Sequence, residues 1–263
     1  MGTPIPNEVL IIMPSKHATC SPSSFKRWSN CPASAKQQQM FQSNPSYAAV
    51  EGTVCHEIGE MELKEAIQGM SMQDYWLGRE VEQEGIKVKV TQELIDIANI
   101  YVDYVKARKI ELNATLLIEE QVEMAELHEA VWGTSDTLLI ADKKIDNIIE
   151  VCDFKAGKWP VPVENNPQLK IYGLGALSRY GDEETTVRMT IVQPRSPGKN
   201  KPKINSVDMS SEALVDWGYS VLKPSAEACF EDNPPFKAGD WCRFCAYKEH
   251  CDEFKNAELR SKA

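Results

Sequence analysis

Three β-rich runs follow one another with only short polar connections: Thr115 to Met124, Val131 to Ala141 and Ile145 to Phe154. Runs of this length, rich in Val, Ile, Leu and Thr, predict a meander of antiparallel strands. On either side the apolar spacing turns helical. Gly52 to Gln68 predicts a helix ended by Gly69, and Gln92 to Leu112 another, with Leu94, Ile97 and Tyr101 at helical spacing. Gln168 to Arg179 predicts a helix and Thr185 to Gln193 a strand. The order helix, three strands, helix, strand predicts an α/β core with a mixed sheet. Ser23 is a candidate cap for a short helix carrying Phe25 and Trp28, and Pro32 opens a second running to about Met40. Ser211 to Cys229 predicts a helix broken at Pro224. Three segments are expected, 1–50, 51–208 and 209–263, packed as one compact domain without internal repeats.

The 263 residues carry 29 Lys and Arg against 39 Asp and Glu, a net charge of −10, with 42% hydrophobic residues. That mix is the one expected of a soluble globular protein. No apolar run approaches the ~20 residues of a membrane helix, and Val9 to Met13 is too short for an export signal. Membrane insertion and export are not expected, and eight cysteines then imply reduced thiols or metal sites in the cytoplasm. The charge argues at face value against a nucleic-acid partner, but it is unevenly spread. Val9 to Val50 holds no acid and four cations, Lys16, Lys26, Arg27 and Lys36, and Arg195 to Lys203 holds four cations and no acid. Glu111 to Glu150 holds ten acids against Lys143 and Lys144. Each of these two basic segments and this acidic belt, taken alone, reads most simply as solvated surface.

Asp153 and Lys155 close the third run in VCDFKAG. Residues i and i+2 of a strand share a face, so the two side chains should project together. Asp136, in GTSDTLLI on the preceding run, can converge with Asp153 if the strands pair antiparallel. Two convergent carboxylates with a lysine suit a hard cation such as Mg²⁺ or Mn²⁺, the lysine stabilising charge on a phosphate. His56 and Glu60 lie at i, i+4 in GTVCHEIGE, and Gln168 and Tyr172 at i, i+4 in QLKIYGLGAL.

In this order and local context, GTVCHE, GTSDTLLI, VCDFKAG and QLKIYGLGAL resemble the RecB-like branch of the PD-(D/E)xK nucleases, over about residues 52–177. The resemblance implies a restriction-endonuclease-like core and a metal-dependent deoxyribonuclease. His56, Asp136, Asp153 and the backbone carbonyl of Phe154 would ligate the cation. Lys155 would act at the scissile phosphate, with Gln168 and Tyr172 lining the site. One or two cations are compatible with it. Glu51 and Glu60 are spare acids near His56.

Cys242, Cys245 and Cys251 form C-x2-C-x5-C in WCRFCAYKEHC, a spacing suited to one metal centre. From spacing alone, His250 or Cys229 could complete a zinc site. The family resemblance points elsewhere. The iron–sulfur members of the branch (AddB-type, CRISPR-associated and phage nucleases) place one cysteine before the core and three after it. SPSSFKRWSNCPASA resembles their upstream segment, which implies a [4Fe–4S] cluster on Cys31, Cys242, Cys245 and Cys251. Cys20 competes with Cys31 but lacks its Cys-Pro context, and Cys55 and Cys152 read as packing residues. The resemblance to stand-alone phage exonucleases further implies DNA as substrate, a role in recombination or repair in a bacterial or phage-infected cell, and a single-strand annealing partner. An end-trimming endonuclease, an idle cluster-stabilised DNA-binding module and a zinc adaptor are the rivals. Oligomeric state stays open. Gly173-x-Gly175 has no third glycine and is not a dinucleotide loop. Basic residues around Lys16 to Lys36, Lys155 to Lys170 and Arg195 to Lys203 are expected on the DNA backbone, and Trp28, Trp132 and Trp159 are candidates for base stacking.

Overall fold

The computed structural model describes residues 10–11, 18–41, 45–197 and 204–262. Of the two basic segments, Lys16, Lys199, Lys201 and Lys203 lie outside them, as does His17.

In chain order the elements are β1 (Leu10–Ile11), α1 (Phe25–Asn30), α2 (Ala33–Gln37), α3 (Tyr47–Leu63), α4 (Met72–Trp76), β2 (Glu80–Gln83), β3 (Ile86–Lys89) and α5 (Gln92–Glu111). Then follow β4 (Thr115–Glu123), β5 (Trp132–Ile140), β6 (Ile148–Phe154), α6 (Pro167–Tyr180), β7 (Thr186–Val192), β8 (Ile204–Ser210), α7 (Ser211–Trp217), α8 (Lys223–Ala228) and α9 (Asp252–Lys262). The mixed α/β architecture expected from the sequence is present. A five-stranded sheet runs β4-β5-β6-β7-β8, antiparallel except for the parallel β6–β7 pair that α6 connects.

Helices cover both sheet faces. On one side α3, α5 and the β2–β3 hairpin share a core with Leu139, Cys152 and Phe154. On the other, α1, α6, α7 and α8 pack against Leu138, Val151 and Met189. β6, covered on both faces, is buried at every position, which is why it reads as a continuous apolar run rather than an alternation. α6 sits close to the sheet because it carries two glycines there. A Cβ on Gly175 would stand 2.6 Å from the Val122 Cβ, and one on Gly173 2.8 Å from Val187 Cγ1. The discounted glycine pair is thus a packing notch.

Caps decide the helix starts. Ser46 accepts from the Ala49 amide, so α3 begins at Tyr47, five residues before the expected Gly52. Thr91 caps α5 in the same way, and Asn166 caps α6 through the Gln168 and Leu169 amides. The break expected at Pro224 is a π-helical turn over Gly218–Leu222 that precedes the proline. The expected boundaries at 50/51 and 208/209 fall inside α3 and β8. The sequence pattern does not predict β2, β3, β8 or α9. Among the described residues no helix is long and apolar enough to cross a membrane.

Candidate active site and cysteine pocket

The β4–β5–β6 meander brings the expected acids together where its ladders stop. The β5–β6 register ends at Thr137 opposite Cys152, so Asp136 and Asp153 fall opposite each other just beyond the last pair. Asp136 Oδ2 accepts the Phe154 amide at 2.7 Å, a side chain taking over from the ladder. Its Oδ1 lies 3.5 Å from His56 Nδ1 on α3. The Phe154 ring is buried, stacked on Tyr101 at 4.7 Å between centroids and 5.0 Å from the His56 ring. That sandwich fixes the end of β6 and the height of α3 above it.

Asp153 is 3% exposed. Its Oδ1 accepts from Lys155 Nζ at 3.2 Å and from Gln168 Nε2 at 3.0 Å. Gln168 Oε1 also accepts from Lys155 Nζ at 3.1 Å, and its Nε2 reaches the Tyr172 hydroxyl at 3.3 Å. One glutamine therefore orients the acid, the lysine and the tyrosine at once. Asp153 Oδ2 is paired with the Lys155 ammonium at 2.9 Å. Burial raises the Asp153 pKa; Lys155 opposes that and Asp136 adds to it. Burial works against the Lys155 ammonium, but Asp153 and Asp136 outweigh it and hold the lysine charged.

A further acid shares this field. Glu119 on β4 has φ +53°, left-handed backbone in mid-strand. The β4–β5 register passes from Ile118 opposite Thr137 to Glu120 opposite Ser135, with Glu119 facing Asp136 but not laddered to it. Burial first, then Asp136 and Glu60, push the Glu119 carboxyl up to about 8. Glu120, next in sequence, instead accepts from Arg179 and Tyr180 of α6. Sequence reasoning missed Glu119; its signal was two adjacent acids interrupting the apolar run opposite Asp136.

His56, Asp136, Asp153, Lys155, Gln168, Tyr172 and Phe154 are thus linked through the contacts above. Carboxylates with one imidazole suit a hard cation. Among the described residues no three His, Cys, Asp or Glu side chains form a ready coordination cage; the carboxylates are held by protein donors instead. The spare acids have other partners. Glu51 pairs with Arg195, and Glu60 with Lys64 at 2.5 Å.

Cys31, Cys242, Cys245 and Cys251 line one small cavity with Arg27 and Lys237. The Lys237 amide donates to Cys31 Sγ at 3.3 Å. Burial raises the Cys242 and Cys245 thiols, and the neighbouring cysteines add to it. His250 does not line this cavity and stacks on Phe41 at 4.8 Å. Cys20 and Cys229 are fully buried outside that lining, and the Cys229 thiol donates to the Ser225 carbonyl at 3.3 Å. Cys55 and Cys152 are buried in the α3–α5 core. Four thiols thus line one cavity, one receiving a backbone N–H, though among the described residues they do not stand as a ready coordination cage.

Several basic candidates for the DNA backbone are otherwise engaged. Arg195 is paired with Glu51 and, at 3.2 Å, with Glu93. Lys170 is 7% exposed, beside Asn165 and the Trp217 ring. Lys26 pairs with Asp240, and Lys36 lies over the Phe230 ring. The expected acidic belt is not all surface either, since Glu150 is fully buried. Trp28 is buried, its Nε1 donating to the Ser21 carbonyl, whereas Trp159 is 74% exposed.

The chain is similar to a solved structure described as "Crystal structure of SSO0001", at 13% identity and a TM-score of 0.40, over 91% of this chain and 88% of that one. A family model described as "Protein of unknown function (DUF2800)" matches residues 17–263, nearly the whole length. The chain therefore belongs to the DUF2800 family.

Proposed function

We propose that this protein is a divalent-cation-dependent deoxyribonuclease with a RecB-like PD-(D/E)xK core, hydrolysing phosphodiester bonds from DNA ends. The observation that carries the reading is the joining of Asp136, Asp153 and Lys155 at one end of the meander, with the buried Asp153 carboxylate held against the Lys155 ammonium and the Gln168 amide. His56, Asp136 and Asp153 are the side chains that would hold Mg²⁺ or Mn²⁺. A bound cation of this kind offsets charge on the attacked phosphate and makes water a better nucleophile.

The chain's own groups do the positioning. The Phe154 amide fixes the rotamer of Asp136. Gln168 holds Asp153 and Lys155 at a set separation, so the ammonium stays beside the carboxylate rather than ranging through solvent. Lys155, about a quarter exposed in its side chain, can present its charge to a phosphate entering from solvent. Tyr172 is buried and keeps Gln168 in place.

Cys31, Cys242, Cys245 and Cys251 would hold a [4Fe–4S] cluster, which carries no step of the hydrolysis. It would tie the segment before the core to the one after it, closing a very long loop. Supply of single strands to an annealing protein in phage-type recombination or repair is the role that fits an end-acting enzyme.

The test is digestion of end-labelled linear, closed circular, single- and double-stranded DNA with Mg²⁺ or Mn²⁺. Progressive loss from ends of linear DNA supports the reading. Cutting of closed circles would replace the exonuclease by an endonuclease. No hydrolysis of any substrate would overturn the reading.

A further inference from the structure

The loop after Lys155 carries an aromatic side chain that is largely exposed. Trp159 is 74% exposed, and Phe244, between two pocket cysteines, is 75% exposed. The two come together around one guanidinium. Arg243 lies 4.9 Å from the Trp159 ring centroid and 5.4 Å from that of Phe244. Both sides of this arrangement are braced from beneath. Gln193, 2% exposed, donates to the Gly157 carbonyl at 2.9 Å and the Trp159 carbonyl at 2.6 Å, and accepts from the Val161 amide at 3.0 Å. Arg27 donates to the Phe244 carbonyl at 3.3 Å. A large aromatic surface is thus held out in water by a built scaffold.

We propose that Trp159, Arg243 and Phe244 form a stacking platform for single-stranded DNA beside the catalytic site. The link to catalysis rests on the nuclease reading above, since Trp159 is four residues from Lys155; the binding itself does not. Aromatic faces and guanidinium planes stack on bases with little regard to sequence, provided the bases are unpaired. The surrounding charge fits a phosphate backbone. Lys158 and Arg243 are exposed, and among the described residues neither pairs with a carboxylate. Arg243 and Phe244 continue into a groove lined by Lys26, Arg27, Gln38 and Gln39. Its acids are Glu84 and Asp240, the latter paired with Lys26.

The test is fluorescence anisotropy of a labelled oligothymidylate with the full chain, in EDTA so that no cleavage intervenes. Trp159→Ala should weaken single-strand binding about tenfold, and Trp159→Phe should restore most of it. Affinity for a blunt duplex should not change. Because Trp159 is exposed, thermal unfolding should also be unchanged. Single-strand affinity within about twofold of wild type for W159A, or equal loss on the duplex, would overturn the platform. Cleavage is assayed separately with Mg²⁺. A protein that binds the oligonucleotide through Trp159 but hydrolyses nothing retains the platform and loses the nuclease reading; one that hydrolyses while W159A binds normally does the reverse.

Discussion

The strand that presents Asp153 is anchored by a buried carboxylate, and its removal can be quantified. Glu150 is fully buried on β6. It accepts from the Tyr104 hydroxyl at 2.6 Å, Arg108 Nε at 2.8 Å and Thr190 Oγ1 at 2.8 Å. Arg108 is the cation in this set, itself almost buried, with Glu111 at 2.5 Å on its outer side. Arg108→Ala leaves the Glu150 carboxylate buried without a counter-charge, at a cost of about 3–5 kcal/mol. Tyr104→Phe removes one hydrogen bond to a charged acceptor, about 1.5–3 kcal/mol. Against a total stability of roughly 5–15 kcal/mol, R108A alone brings the protein near its folding threshold. Because the penalty belongs to an orphaned charge, the double variant Arg108→Met, Glu150→Leu should recover a large part of it. Urea unfolding followed by far-ultraviolet circular dichroism, with an unchanged m-value, measures both. A loss below about 1 kcal/mol for R108A, or a double variant as damaged as the single, would refute the reasoning.

Three further outcomes follow from the same geometry. Glu119 titrates near 8 in the folded chain against an ordinary 4.5. The folded state then holds a proton that the unfolded state has lost between those values, so this group lowers stability as pH rises through that window. In EDTA, Glu119→Gln should be less sensitive to pH between 5 and 8 than wild type; identical melting-temperature profiles would contradict this. Cys31→Ser should lose iron and acid-labile sulfide after anaerobic purification and unfold at lower temperature. A wild-type protein holding zinc alone would remove the cluster from the account. Gly175→Ala places a methyl against Val122 and Met124, and should destabilise by about 1–3 kcal/mol in the same urea assay.

The meander was legible because its strands carry enough apolar residues to mark themselves, and because short polar turns force neighbours to pair. Once β5 and β6 are antiparallel, the convergence of Asp136 and Asp153 follows, and period-two and period-four spacing places Lys155, Gln168 and Tyr172 beside them. What was missed lacked such marks. β8 alternates only weakly, INSVDMS, because it is an edge strand whose outer residues are polar. The β2–β3 hairpin turns through Glu84 and Gly85, both at positive φ, and a glutamate gives little warning of that. Glu119 leaves the strand alternation through its own backbone angle, which no side-chain pattern encodes. The basic segments were only partly legible, for a different reason. Composition counts charges but not partners, and Arg195 and Lys26 meet acids distant in sequence.

The central claim divides two roles between neighbouring residues, and one paired measurement separates them. Asp153→Ala and Lys155→Ala are each titrated with Mn²⁺ by calorimetry and assayed for cleavage of end-labelled linear duplex. The account predicts that D153A loses both cation binding and cleavage, whereas K155A keeps cation binding and loses cleavage by at least about a hundredfold. Normal cleavage by either variant, or Mn²⁺ binding by D153A equal to that of the wild type, would contradict it.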